Sequence, residues 1–103
     1  MINIMIYFEQ LEEAQMLINE LLNASLIANA SIDSNNISYM LKDGEIQTKI
    51  YAVVTAQTKN LLFTQIEHIV AEKFGDRVLM YSLPITNANI YFDQQIRNKT
   101  LRA

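Results

Sequence analysis

The sequence predicts an α+β fold with the element order β-α-β-β-α-β and one further helix at the end. Three observations carry this. Ile2, Ile4, Ile6 and Phe8 alternate with Asn3, Met5 and Tyr7, the period of a strand. Two stretches, 9–23 and 58–74, place apolar residues three and four apart, the spacing of amphipathic helices. Between them, 26–58 reads as two long strands folded back through Lys42-Asp43-Gly44-Glu45, and Asp-Gly between two β-rich runs is a strong hairpin signal.

Each element has its own justification. The first strand is apolar on both faces, which predicts a central position in the sheet. The first helix, Glu9 to Asn23, buries Leu11, Ala14, Ile18, Leu21 and Leu22, carries Glu9, Glu12 and Glu13 in its first turn, and ends on Asn23 in the left-handed conformation. Leu26 to Ile32 forms the next strand, Asp33-Ser34-Asn35-Asn36 interrupts it as a bulge, and Ile37 to Leu41 resumes it. The return strand, Ile46 to Thr58, sends Thr48, Ile50, Ala52, Val54 and Ala56 to one side and Lys49, Tyr51, Val53 and Thr55 to the other.

Thr58 or Asn60 is expected to cap the second helix, whose apolar stripe is Leu62, Ile66, Ile69, Val70 and Phe74 and whose stop is Gly75. Arg77 to Leu83 is the fourth strand, ended by Pro84. Asn87 is expected to cap a last helix anchored by Ile90, Tyr91 and Ile96, with 97–103 frayed and solvated. The sum is a split βαβ, a ferredoxin-like sandwich with a long hairpin between its second and third strands and a C-terminal helix. Right-handed crossovers put both long helices on one face. The other face would carry Met5, Tyr7, Tyr51, Val53, Leu79 and Tyr81, which is too apolar for water alone, so a partner surface is expected there.

The chain has 103 residues and reads as one domain over 1–103. Half of the residues are hydrophobic, enough for a core, yet a domain this small buries only about two thirds of its unfolded surface, so association would help it. The net charge is −3 with no basic run, which argues against nucleic acid and anionic membranes as partners. No apolar run approaches the roughly 18 residues of a membrane span, and no secretory leader is visible. The absence of cysteine removes disulfide and thiol chemistry and fits a cytoplasmic setting.

No catalytic set is legible. The serines lack a nucleophile-elbow context, there is a single histidine, and no glycine-rich phosphate loop exists, so the chain is not read as an enzyme. His68 and Glu72, four apart on the second helix, are the candidate ligands for a weakly held divalent metal. Two ligands on an exposed helix make an open site, and the plainer reading is a solvated polar face. Met5, Met16, Met40 and Met80 could offer thioethers to a soft metal, but they lie in apolar patterns on separate elements and read as core filling. No cofactor is called for otherwise. Tyr39, Tyr51 and Tyr81 read either as anchors between subunits or as cross-strand packing within one chain.

A set of local patterns runs in order through the chain: the opening strand and Leu11-Glu12-Glu13-Ala14; Leu26-Ile27-Ala28-Asn29-Ala30-Ser31-Ile32; Ile37-Ser38-Tyr39-Met40-Leu41 before Gly44-Glu45-Ile46; Thr58 leading to Leu62-Phe63; Leu79-Met80-Tyr81-Ser82-Leu83-Pro84-Ile85; and Asn89 to Phe92. Taken together, at these separations, they resemble the CutA-type divalent-cation-tolerance proteins. The resemblance implies a tight homotrimer built through the long hairpins, with Tyr39, Met40, Leu41, Tyr51 and Tyr81 near its interfaces, and a link to copper and other divalent metals. It also marks departures. Asn29 stands where the family has a strand cysteine, and Gln57 where it has a lysine. Of the aromatic triplet only Tyr39 is kept, and Phe74-Gly75-Asp76-Arg77 replaces a His-Pro-Tyr stretch. The alternative is a trimeric small-molecule-sensing domain of the same fold without metal.

Overall fold

The computed structural model describes residues 1–102. Four strands form one antiparallel sheet in the order β2-β3-β1-β4. They are β1 (Ile2–Phe8), β2 (Asn29–Lys42), β3 (Glu45–Thr58) and β4 (Leu79–Pro84). The helices are α1 (Leu11–Asn23), α2 (Phe63–Phe74), preceded by a 3-10 turn at Asn60–Leu62, and α3 (Ile90–Lys99). The α+β ferredoxin-like arrangement with a long β2–β3 hairpin and a C-terminal helix is therefore the observed one, and β1 is central as its doubly apolar faces require.

One face of the sheet carries the core. Ile2, Ile4, Ile6 and Phe8 of β1 meet Ala52, Val54 and Ala56 of β3 and, from the helices, Ala14, Leu17, Leu21, Ile66 and Val70. Each large side chain so buried contributes about 1.5–3 kcal/mol from the transfer of its apolar surface out of water. Phe8 and Phe74 close the α2 end of this core as an edge-to-face pair, 5.0 Å between centroids. Glu20 and Lys73, 2.7 Å apart, tie α1 to α2 at the surface.

The hairpin turn is fixed by backbone chemistry. Lys42 pairs with Glu45, so only Asp43 and Gly44 make the turn, and both have positive φ (52° and 79°). A type I′ turn needs that pair of conformations, and Asp-Gly supplies it with least strain. The interruption at Asp33–Asn36 is a register shift, in which the Asp33 carboxylate accepts a hydrogen bond from the Asn35 amide. At Gly75, with φ 86°, α2 stops as its glycine predicts.

Several sequence expectations are corrected. In α1 the buried positions are Ala14, Leu17 and Leu21, whereas Leu11 and Leu22 are exposed, so the inward face is rotated from the expected one. The left-handed residue after α1 is Ser25 (φ 57°), not Asn23. The strand β2 starts at Asn29, because Leu26, Ile27 and Ala28 are spent on buried packing before the ladder begins. Thr58 caps nothing: it is fully buried, and its hydroxyl donates to the Leu26 carbonyl at 2.6 Å. Asn60 opens the 3-10 turn instead of capping α2. Met16 and Met40 are exposed, so core filling does not describe them.

The last helix also differs. Asn89, not Asn87, caps α3, accepting the Phe92 amide at 2.8 Å. Ile90 and Tyr91 face solvent, and Ile96 alone of the three expected anchors is buried. The following segment is held in place. Thr100 is buried with its hydroxyl donating to the Ile96 carbonyl, the Leu101 amide donates to the Ser25 carbonyl, and the Lys59 ammonium donates to the Leu101 carbonyl at 2.7 Å. With the Ile85 amide bonded to the Met1 carbonyl, α3 spans the end of the sheet from the β4 edge to the start of β2.

Candidate functional site

The face of the sheet opposite α1 and α2 is ordered in rows by strand register. Asn29, Gln57, Asn3 and Leu83 form the first; Ser31, Thr55, Met5 and Tyr81 the second; Asp33, Val53, Tyr7 and Leu79 the third. The first row is polar and internally bonded, with the Gln57 amide donating to the Asn3 carbonyl oxygen at 2.6 Å. The structure thus brings Asn29 and Gln57 side by side on neighbouring strands, joined through Gln57 to Asn3.

The six residues expected on this face are all there. Tyr51 and Val53 are already buried within the chain, the Tyr51 ring meeting Tyr7 edge-on at 5.5 Å. Tyr7 also lies 6.3 Å from the Tyr81 ring. The neighbouring Tyr81 phenol, and then burial, push the Tyr7 phenol above its ordinary value. What remains open is a strip along β4, where Leu79, Tyr81 and Leu83 are exposed.

Beyond the helices the hairpin continues as an arm, residues 37–50, and contributes to a molecule 46 Å long. Its pairs Ile37↔Ile50, Tyr39↔Thr48 and Leu41↔Ile46 share one face, since β3 residues 46, 48 and 50 have the parity of the core-facing Ala52 and Val54. Ile37, Tyr39, Leu41, Ile46 and Ile50 are 57–75% exposed. The apolar side of the arm therefore looks toward the helix side of the sheet, where the chain has no helix left to cover it. Met40 points to the opposite side. At the root of the arm Lys49 pairs with Glu9 and stands 5.7 Å from the centre of the Tyr51 ring. The Glu9 carboxylate holds the Lys49 ammonium above its ordinary value.

Two cavities flank the ends of α2 and β4. The larger, about 640 Å³, has Glu67, His68, Glu72 and Asp76 at its rim and Val70, Val78 and Met80 within. It is where His68 and Glu72 fall, both exposed. Among the described residues no three His, Cys, Asp or Glu side chains converge as a metal-ligand set. The smaller, about 300 Å³, is lined by Tyr7, Phe8, Glu9, Glu13, Tyr51, Phe74, Arg77, Val78 and Leu79 at the root of the arm. The segment Phe74-Gly75-Asp76-Arg77 thus contributes to both cavities. That Glu13 and Arg77 line the same cavity escaped the sequence, since 64 positions separate them and neither belongs to a local motif.

These elements define a ferredoxin-like α+β protein with a projecting hairpin arm and an open sheet face. No family model and no curated protein matches the chain by sequence. Its structure matches solved CutA proteins over nearly its full length. The divalent ion tolerance protein CutA1 of Ehrlichia chaffeensis superimposes with a TM-score of 0.86 at 25% identity, covering 98% of this chain and 95% of that one. CutA1 of Oryza sativa gives 0.89 at 19% identity, over 99% and 94%. The periplasmic divalent cation tolerance protein CutA of Archaeoglobus fulgidus gives 0.83 at 22% identity, over 96% and 98%. The resemblance read from the sequence extends to the structure: over nearly its whole length the chain is similar to the CutA-type divalent-cation-tolerance proteins.

Proposed function

We propose that the chain works as a self-assembling CutA-type protein, a homotrimer that takes part in tolerance of or response to divalent metal ions such as copper, by binding and assembly rather than by catalysis. The observation that carries the assembly is the arm: five large apolar side chains on one face, uncovered in a single chain, next to a 14-residue edge strand. A long unpaired edge invites uncontrolled pairing unless it is closed off, and a ring of identical copies closes it. The open strip on β4 supplies a second edge, so copies can join head to tail. The metal role is supported by the names of the structural neighbours from Ehrlichia chaffeensis and Archaeoglobus fulgidus. With Asn29 and Gln57 in place of the family's cysteine and lysine, a metal would have to use other donors, of which His68 and Glu72 are the candidates within one chain.

Light scattering after size exclusion tests the assembly. The expected mass is three times the 11.8 kDa of one chain, and a stable single chain at micromolar concentration sinks the proposal. Calorimetric titration of the assembled protein with Cu²⁺ and Zn²⁺ tests the metal role, with His68→Ala as the variant that should lose heat.

A second reading, a small-molecule-sensing domain, is favoured by the 300 Å³ cavity at the root of the arm, which lies at the lower end of the roughly 300–1,000 Å³ of small-ligand sites. A thermal-shift panel of metals, nucleotides and amino acids separates the two readings, since only a ligand that binds the folded state raises the midpoint.

A further inference from the structure

We infer that this smaller cavity is a site for a small zwitterion with an apolar body, an apolar α-amino acid, an inference that rests on the second reading. Its walls carry one cation and one anion with no partner of their own. Among the described residues neither Arg77 nor Glu13 has an opposite charge within ion-pair distance, although both line the same cavity. The third and fourth charges nearby, Glu9 and Lys49, satisfy each other. Two opposite charges facing one cavity and standing too far apart to pair leave room for a molecule bearing both complements: a carboxylate for the guanidinium, where two parallel hydrogen bonds are possible, and an ammonium for the carboxylate.

The rest of the lining fits the body of such a molecule. Phe8, Phe74, Tyr7 and Tyr51 all line it, Phe8 against Phe74 and Tyr7 against Tyr51 each packed edge to face, and these rings supply most of its apolar surface. The volume, about 300 Å³, suits a single amino acid rather than a nucleotide or a peptide. All of these groups come from one chain, although Leu79 also belongs to the β4 strip that the proposed assembly uses, so light scattering on the same sample reads assembly separately from binding.

The test is amide chemical-shift titration with L-leucine and L-phenylalanine to about 10 mM, a concentration that fills most of a millimolar site. The expected result is saturable shifts confined to residues 7–13, 51 and 74–79, with affinity reduced about tenfold or more in Glu13→Gln and in Arg77→Met, as loss of a charge-assisted hydrogen bond implies. N-acetyl-L-leucine, which lacks the ammonium, should bind as weakly to the parent protein as L-leucine binds to Glu13→Gln. Glu67→Gln, in the other cavity, should leave binding unchanged. No saturable shift in this range, or equal affinity for leucine and its N-acetyl form, overturns the assignment. A nucleotide that raises the melting midpoint while no amino acid binds overturns it too, and leaves the sensing reading standing.

Discussion

The body and the arm of this protein are written in the same alternating code and meet opposite fates. In β1, Ile4 and Ile6 are completely buried; in the arm, Leu41 and Ile46 are 73% and 75% exposed. Both sets of residues face the same side of the sheet. The difference lies in what passes over them. The body is roofed by α1 and α2, whereas the arm extends past the ends of both. Alternation specifies which face is apolar, but coverage is decided by element length, and here the strands are longer than the helices. An arm held only by its ladder and cross-strand pairs, at roughly 0.2–1 kcal/mol each, gains most of its remaining stability from whatever covers it.

The comparison is broken most strongly from the body side. Ile4→Ala should lower unfolding free energy by about 2–5 kcal/mol, because a fully buried side chain leaves a cavity that the close-packed core refills poorly. Urea denaturation followed by circular dichroism reads this directly, and a loss under about 1 kcal/mol would mean that the body is not the sealed unit described. Thr58→Val comes next, at about 1–3 kcal/mol. The substitution keeps the shape of the side chain and removes the hydroxyl that satisfies the Leu26 carbonyl, leaving a buried acceptor unpaired. Gly44→Val should follow at about 1 kcal/mol or more, since a β-branched residue resists the positive φ of the turn.

How much of this the sequence reveals follows the same division. Features fixed by local backbone chemistry are legible: the Asp43-Gly44 turn, the break at Asp33–Asn36 and the Gly75 stop each depend on conformations few residues adopt. Features fixed by packing are not. The helix α1 carries Leu11, Met16, Leu17, Ile18, Leu21 and Leu22 around more than half of its circumference, so its inward phase is ambiguous until the sheet chooses Leu17 and leaves Leu11 and Leu22 outside. Thr58 has the chemistry of a cap but is used as a buried donor, a choice that depends on Leu26, 32 positions away. Asn87 and Asn89 are equally good caps by type, and only the position of α3 decides between them. The same limit hides the cavity that Glu13 and Arg77 both line, since α1 follows β1, Arg77 precedes β4, and only the pairing of β1 with β4 brings those segments together.

From the arm side the effect on folding shrinks while the effect on assembly grows. Leu41→Ser with Ile46→Ser removes two of the most exposed apolar residues. It should leave the circular dichroism spectrum unchanged and cost the isolated chain under about 0.5 kcal/mol each, as surface substitutions do. The mass by light scattering should nevertheless fall from that of the proposed three-chain assembly to that of one chain. A double variant that keeps its trimer would show that the arm is not what joins the copies.

The smallest effect belongs to the junction of the two regions, where Lys49 and Glu9 tie the root of the arm to the start of α1 and Tyr7 supports Tyr51. Both Lys49 and Tyr7 have folded-state pKa values above their ordinary ones, Lys49 because of Glu9 and Tyr7 because of Tyr81 and burial. For each, the folded state holds its proton more tightly than the unfolded state. The stability this confers is complete below the unfolded value, 10.5 for Lys49 and 10.0 for Tyr7, and is lost as pH rises through the folded value. Melting midpoints should therefore decline above about pH 10, and the decline should be shallower in Tyr7→Phe and in Lys49→Met, each of which removes one titrating group. Because Lys49 lies at the surface, its share is screened by salt, so the Lys49→Met difference should shrink at high ionic strength while the Tyr7→Phe difference persists. If both vanish in salt, the Tyr7–Tyr81 contact behaves as open surface, and the face beneath the arm's root is not packed as the rings indicate.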